Sequence, residues 1–170
     1  MQLLVSDANI ILDVEEADLV AELFRLPWSI GVPDLLFEDE LSEQHGHLMD
    51  HGLTALELSA DAMLEVVRLA SLYRRPSRYD CMALALARQE NAPLLTGDAA
   101  LRKAAERESV SVVGTIWVVE TMVVTQLISI DRARAAYAAM RAADRRLPWD
   151  LAERSLEELA AGSFVWRDPF

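Results

Sequence analysis

Five short apolar runs, each followed by a stretch of helical periodicity, constrain this chain more than any other feature of its sequence. They are Leu3-Leu4-Val5, Ser29-Ile30-Gly31-Val32, residues 54–58, Pro93-Leu94-Leu95-Thr96 and residues 110–113. Such runs suit strands buried on both faces of a parallel sheet. Between and after them, helical spacing covers residues 9–26 up to Pro27, 34–49 with Pro33 in the first turn, 60–73, 77–90 and 99–108. It continues over 114–127, 131–145 and 151–161. The alternation predicts a three-layer α/β/α fold with a mostly parallel central sheet and extra helices at the C-terminus. In such sheets a ligand sits beyond the carboxyl ends of the strands, where strand order reverses.

The 170 residues are 52% hydrophobic, which suits one domain with a real core and disfavours disorder. We divide the chain into an α/β unit over residues 1–130 and a helical extension over 131–170 packed on it. The single cysteine, Cys81, cannot form an internal disulfide, and residues 1–7 lack a basic leader, so a cytoplasmic protein is expected. Residues 109–130 have roughly membrane-spanning length but carry Gly114, Thr115, Glu120, Thr121, Thr125, Gln126 and Ser129. They read as a buried strand and helix, with no membrane partner. The formal net charge of −12 excludes generic coating of nucleic acid. Residues 1–60 hold thirteen acids and one base, Arg25, so any basic surface comes later, with Arg74, Arg75 and Arg78 bunched together.

Position sorts the acids. Asp7 and Asp98 each follow an apolar run and precede a helix; singly they explain themselves as N-caps, whereas as a pair at equivalent turns they suit a shared cleft and capping equally. On a regular helix over 34–49, Phe37, Leu41, Gln44 and Leu48 share one direction with Leu36 at its edge, and Glu40 falls beside Leu36, facing inward. An inward carboxylate needs a distant partner or a cation. Asp80 completes the capping box Ser77-Arg78-Tyr79-Asp80 and also shares a face with Ala83, Leu84 and Ala87. Cys81 reads as a small packing residue.

Asp7-Ala8-Asn9, Glu40-Leu41, Asp80 opening an alanine- and leucine-rich helix, and Thr96-Gly97-Asp98 resemble, in order, the acidic motifs of the PIN domain, the nuclease fold of VapC-type toxins. Val112-Val113-Gly114-Thr115 and Leu127-Ile128 are similar to a prokaryotic branch of that family, and the resemblance spans roughly residues 2–130. It implies a divalent-metal-dependent ribonuclease in which Asp7, Glu40, Asp80 and Asp98 are catalytic and hold Mg²⁺ or Mn²⁺. Asn9 and Thr96 support them, while Arg74, Arg75 and Arg78 contact RNA phosphates. It further implies a toxin–antitoxin pair with a small antitoxin as partner, and a homodimer. Independently, converging carboxylates repel, by about 4 kcal/mol for a pair at about 4 Å and an effective dielectric near 20, and hard oxygen donors favour these two cations.

Other readings are weaker. His47-Leu48-Met49-Asp50-His51 echoes an inverted zinc-protease motif with Asp in the catalytic position, flanked by Gly46 and Gly52; an exposed helix end explains it better. A receiver-type phosphoacceptor domain needs a lysine after a late strand, but the only lysine, Lys103, lies in a helix. A catalytically silent PIN-like interaction module is the main alternative. Trp149, Phe164, Trp166 and Phe170 would serve it as anchors, unless they pack on the chain's own core.

Overall fold

In a computed structural model, which describes residues 2–170, the sheet has five strands in the order β3-β2-β1-β4-β5, all parallel. These are β1 (Leu3–Ser6), β2 (Ser29–Pro33), β3 (Thr54–Leu56), β4 (Leu94–Leu95) and β5 (Val112–Val113). Strand order reverses between β1 and β4, where Val5 lies opposite Leu94 and Ser6 opposite Leu95. The strands are short, yet β1, β4 and β5 alternate their apolar side chains between two cores. Leu4, Leu95 and Val113 face one core with Ile30 and Val32, while Val5, Leu94 and Val112 face the other. This double burial makes the fold three-layered.

The second core is covered by α6 (Ala60–Leu72), α7 (Arg78–Gln89) and α8 (Ala99–Arg107). The first is covered by α1 (Ala8–Glu16), α9 (Thr115–Val124), α10 (Ile130–Ala142) and α11 (Trp149–Ala161). Ala133, Ala136, Met140, Ala152 and Leu156 of α10 and α11 join the same apolar cluster as Leu4 and Ile10. The apolar residues 109–130 form β5 and the buried α9, and no helix among the described residues is long and apolar enough to cross a membrane. Gly31 in β2 lets Leu56 of β3 pack closely, since a Cβ there would lie 2.7 Å from Leu56 Cδ1 and that side chain would have to shift.

Two expected helices are broken. Residues 9–26 divide at Asp18, whose φ of 53° interrupts the ladder, giving α1 and the short α2 (Val20–Leu23). Aspartate tolerates that left-handed conformation better than most residues. Residues 34–49 form α3 (Asp34–Leu36), a π-helical turn (Phe37–Leu41), α4 (Ser42–His45) and α5 (Leu48–His51), which ends at Gly52 with φ 117°. The wide turn separates the fully buried Leu36 and Leu41 by five residues. It advances the helical face, so Gln44 is exposed, contrary to the regular-helix expectation.

The terminal aromatics pack on the chain itself. The Trp166 ring stacks on Trp28 at 6.2 Å and its Nε1 donates to Thr121 Oγ1 (2.9 Å), while Trp117 Nε1 donates to the Arg167 carbonyl (2.8 Å). Phe170 lies 6.0 Å from Trp28, and Arg141 sits 4.7 Å over the Trp149 ring. Phe164 is half-buried.

Candidate metal centre

At the strand-order reversal, Asp7 N donates to the Leu95 carbonyl (3.0 Å), which places Asp7 level with Thr96. The Asp7 carboxylate caps α1 by accepting from Ile10 N (3.0 Å) and accepts from Thr96 Oγ1 (2.5 Å). The same hydroxyl accepts from Asp98 N (3.1 Å), so Thr96 joins the two acidic turns. Asp7 is only 2% exposed. Burial, assisted by repulsion from Asp80 and Asp13 and opposed by the Thr96 and Ile10 hydrogen bonds, pushes its pKa up to about 6.

Glu40 sits in the π-helical turn and is exposed, not inward-facing as a regular helix requires. The extra residue in the turn sends Leu41 into the core and leaves its neighbour at the rim. Partial desolvation, then the Asp80 and Asp39 charges, raise the Glu40 pKa. Tyr79 explains the proximity of Glu40 and Asp80: at the start of α7, its hydroxyl donates to Asp39 (2.6 Å), tying the turn to the helix that carries Asp80. Neither Tyr79 nor Asp39 stood out in the sequence, since a link between residues 40 positions apart leaves no local pattern.

Asp80 forms its capping box, accepting from Ser77 N (2.7 Å) while Asp80 N donates to Ser77 Oγ (3.1 Å). Asp98 is exposed and caps α8 through Leu101 N (2.7 Å). Repulsion thus couples Asp80 to both Asp7 and Glu40, whereas Asp98 joins them through Thr96. Asn9 is held from outside, its carbonyl and amide oxygens accepting from Arg145 Nη2 (3.2 and 3.3 Å), which leaves its amide nitrogen as a free donor. Arg145 also reaches Asp13, a buried carboxylate not singled out from the sequence, through Nε at 2.5 Å.

The donor set suits a hard divalent cation: oxygen ligands, one of them buried and disfavoured as an anion. Among the described residues, however, no group of three or more acidic, imidazole or thiol side chains is already arranged to hold a metal ion. The cap hydrogen bonds explain this, because Asp80 and Asp98 each turn an oxygen back to their own helix. His45 and His47 lie apart from this centre, near Glu15 at 2.5 and 3.0 Å. Cys81 is buried, and burial raises its thiol pKa. Arg74 and Arg75 are exposed in the turn between α6 and α7, while Arg78 lies 6.0 Å over its neighbour Tyr79.

The Thr96 link has a measurable consequence. Thr96→Val keeps the shape but removes the hydrogen bond that lowers the Asp7 pKa. Thermal unfolding across pH should show the Asp7-linked loss of stability moving to higher pH, with a cost of about 1–3 kcal/mol at pH 7.5 from the unmet buried acceptor.

A family model described as PIN domain matches residues 3–161. No curated protein matches the chain.

Proposed function

The chain belongs to the PIN-domain family, a nuclease fold, and on that premise we propose that it is a divalent-metal-dependent ribonuclease that hydrolyses RNA phosphodiester bonds. The observation that carries this reading is the buried Asp7 at the strand-order reversal, made unfavourable as an anion by burial and by neighbouring acids. Folding alone gains little from that arrangement. In this reading Asp7, Glu40, Asp80 and Asp98 would hold Mg²⁺ or Mn²⁺. When bound, such an ion binds phosphate oxygens and lowers the pKa of water.

The chain's own residues do the rest. Thr96 fixes the Asp7 carboxylate and the Asp98 turn in register, and Tyr79 keeps Glu40 beside Asp80. The Asn9 amide nitrogen, oriented by Arg145, is free to donate to a phosphate oxygen. We further propose a cytoplasmic toxin role with a small antitoxin covering the acids, and a homodimer as the assembly. The competing reading is a catalytically silent module; the three engaged caps favour it, since each already explains its aspartate.

Cleavage of end-labelled RNA by purified protein separates the two. With Mg²⁺ or Mn²⁺ the wild type should cut, EDTA should abolish cutting, and Asp98→Asn should lower kcat/KM on the order of 100-fold, the scale of losing one preorganised electrostatic contact. Activity that survives EDTA, or that Asp98→Asn leaves intact, refutes the metal-dependent reading.

A further inference from the structure

Of the sixteen bases, five are held in ion pairs with acids. Arg68 and Arg88 share Glu65 and Glu108, Arg145 holds Asp13, Arg141 holds Glu153 and Arg132 approaches Asp18. Four other bases converge instead on one cleft of about 420 Å³. Arg74 and Arg75 form one wall, from the turn between α6 and α7; Lys103 and Arg107 form the other, from α8. No acid lines the cleft, and among the described residues none of the four bases is in an ion pair. All four are exposed.

Of the two acids flanking Arg107, Glu106 is in no ion pair among the described residues and Glu108 is already used. Glu108, next to Arg107, is engaged by Arg68, Arg88 and the Tyr73 hydroxyl (2.8 Å). Lys103 and Arg107 stand four apart on α8, a like-charge spacing that costs the helix a few tenths of a kcal/mol. The fold therefore tolerates repulsion between them within the cleft, whose lining holds no acid. The cleft also has a defined address. Pro76 on its first wall lies four residues before Asp80, and Ala99 on its second follows Asp98 directly. Its two walls thus run into the caps that carry two of the four acids.

We infer that this cleft is the track for the phosphates of an RNA strand whose scissile bond lies at the acids, with Lys103 and Arg107 gripping from one side and Arg74 and Arg75 from the other. This rests on the ribonuclease reading. It adds Lys103 and Arg107 to the substrate contacts and removes Arg78, which lies over Tyr79. Small side chains, Ala99 and Ala100, leave room for a backbone to approach between the charges. The contacts are to phosphate, so they set affinity and path without reading sequence.

Fluorescence anisotropy with a labelled single-stranded RNA, in EDTA to prevent cleavage and across a salt series, tests this. Arg75→Glu/Lys103→Glu should bind at least about tenfold more weakly than wild type at low salt, with a salt slope shallower by about 1.4, two phosphate contacts at about 0.7 each. Arg134→Glu/Arg154→Glu, unpaired bases on α10 and α11, should bind nearly as wild type does. Circular dichroism melts check that both remain folded. The track is refuted if wild type binds no RNA, if the cleft variant binds as wild type, if both pairs lose equally, or if polyglutamate displaces RNA at matched charge. RNA cutting with an unaltered cleft variant refutes the track and leaves the ribonuclease standing. Binding lost in the cleft variant of a protein that never cuts does the reverse.

Discussion

Asp7→Asn should unfold at a higher temperature than the wild type at pH 7.5 while cutting RNA about 100-fold more slowly or worse. Both effects come from one carboxylate. In the folded state burial, with Asp80 and Asp13 adding repulsion, raises its pKa from 3.8 to about 6. The folded protein therefore binds this proton more tightly than the unfolded chain does. Below the unfolded pKa the group costs nothing, and stability falls as pH rises from about 4 through 6. Above that the loss is complete, at most about 3 kcal/mol. Asparagine can still cap α1 through its Oδ1, and its amide nitrogen can donate to Thr96 Oγ1 where the carboxylate accepts, so the substitution removes the charge and keeps both contacts. A melt series from pH 4 to 8 should show the wild type losing stability across that window and Asp7→Asn holding level. Equal melting temperatures at pH 7.5 would mean that the anion is already compensated in the fold.

The second large effect lies beside the acids. Asp13→Ala should lower stability by about 3–5 kcal/mol, the usual result of removing one member of a buried pair. The Asp13 side chain is 7% exposed; one oxygen accepts from Arg145 Nε and the other from Thr115 Oγ1 (2.6 Å). Three segments meet there, α1 and α9 with the turn that follows α10, so the loss reaches the docking of the C-terminal helices. At about 2–4 °C per kcal/mol the melting temperature should drop by about 6–20 °C. Asp13→Leu/Arg145→Met should recover much of that loss, because two apolar groups leave no buried charge behind. A double variant as unstable as Asp13→Ala would assign the effect to packing.

What the sequence made legible follows the range of the signal. β1, β4 and β5 announce themselves as apolar runs before turns, and three N-caps lie where local rules put them. Asp7 and Asp98 could be placed at one sheet end because strand-then-helix order fixes which end that is. The Glu40 orientation could not, because a π-helical turn costs one residue of register and has no compositional mark. The break at Asp18 is hidden for a similar reason, as a single left-handed residue inside an otherwise helical pattern. Tyr79 with Asp39, and Asp13 with Arg145, are pairs 40 and 132 residues apart, formed only once the layers are stacked. The cleft bases show the same limit: Arg74 and Arg75 are visible as a cluster, whereas Lys103 and Arg107 acquire meaning only when α8 lies across from them.

Calorimetric titration of Mn²⁺ into the protein at pH 7.5 tests most directly whether these acids form a cation site. Wild type should show saturable binding, with Asp7→Asn and Asp98→Asn each weakening it at least about tenfold. Indistinguishable isotherms for wild type and both variants, or no binding by a wild type that nevertheless cuts RNA, would contradict it.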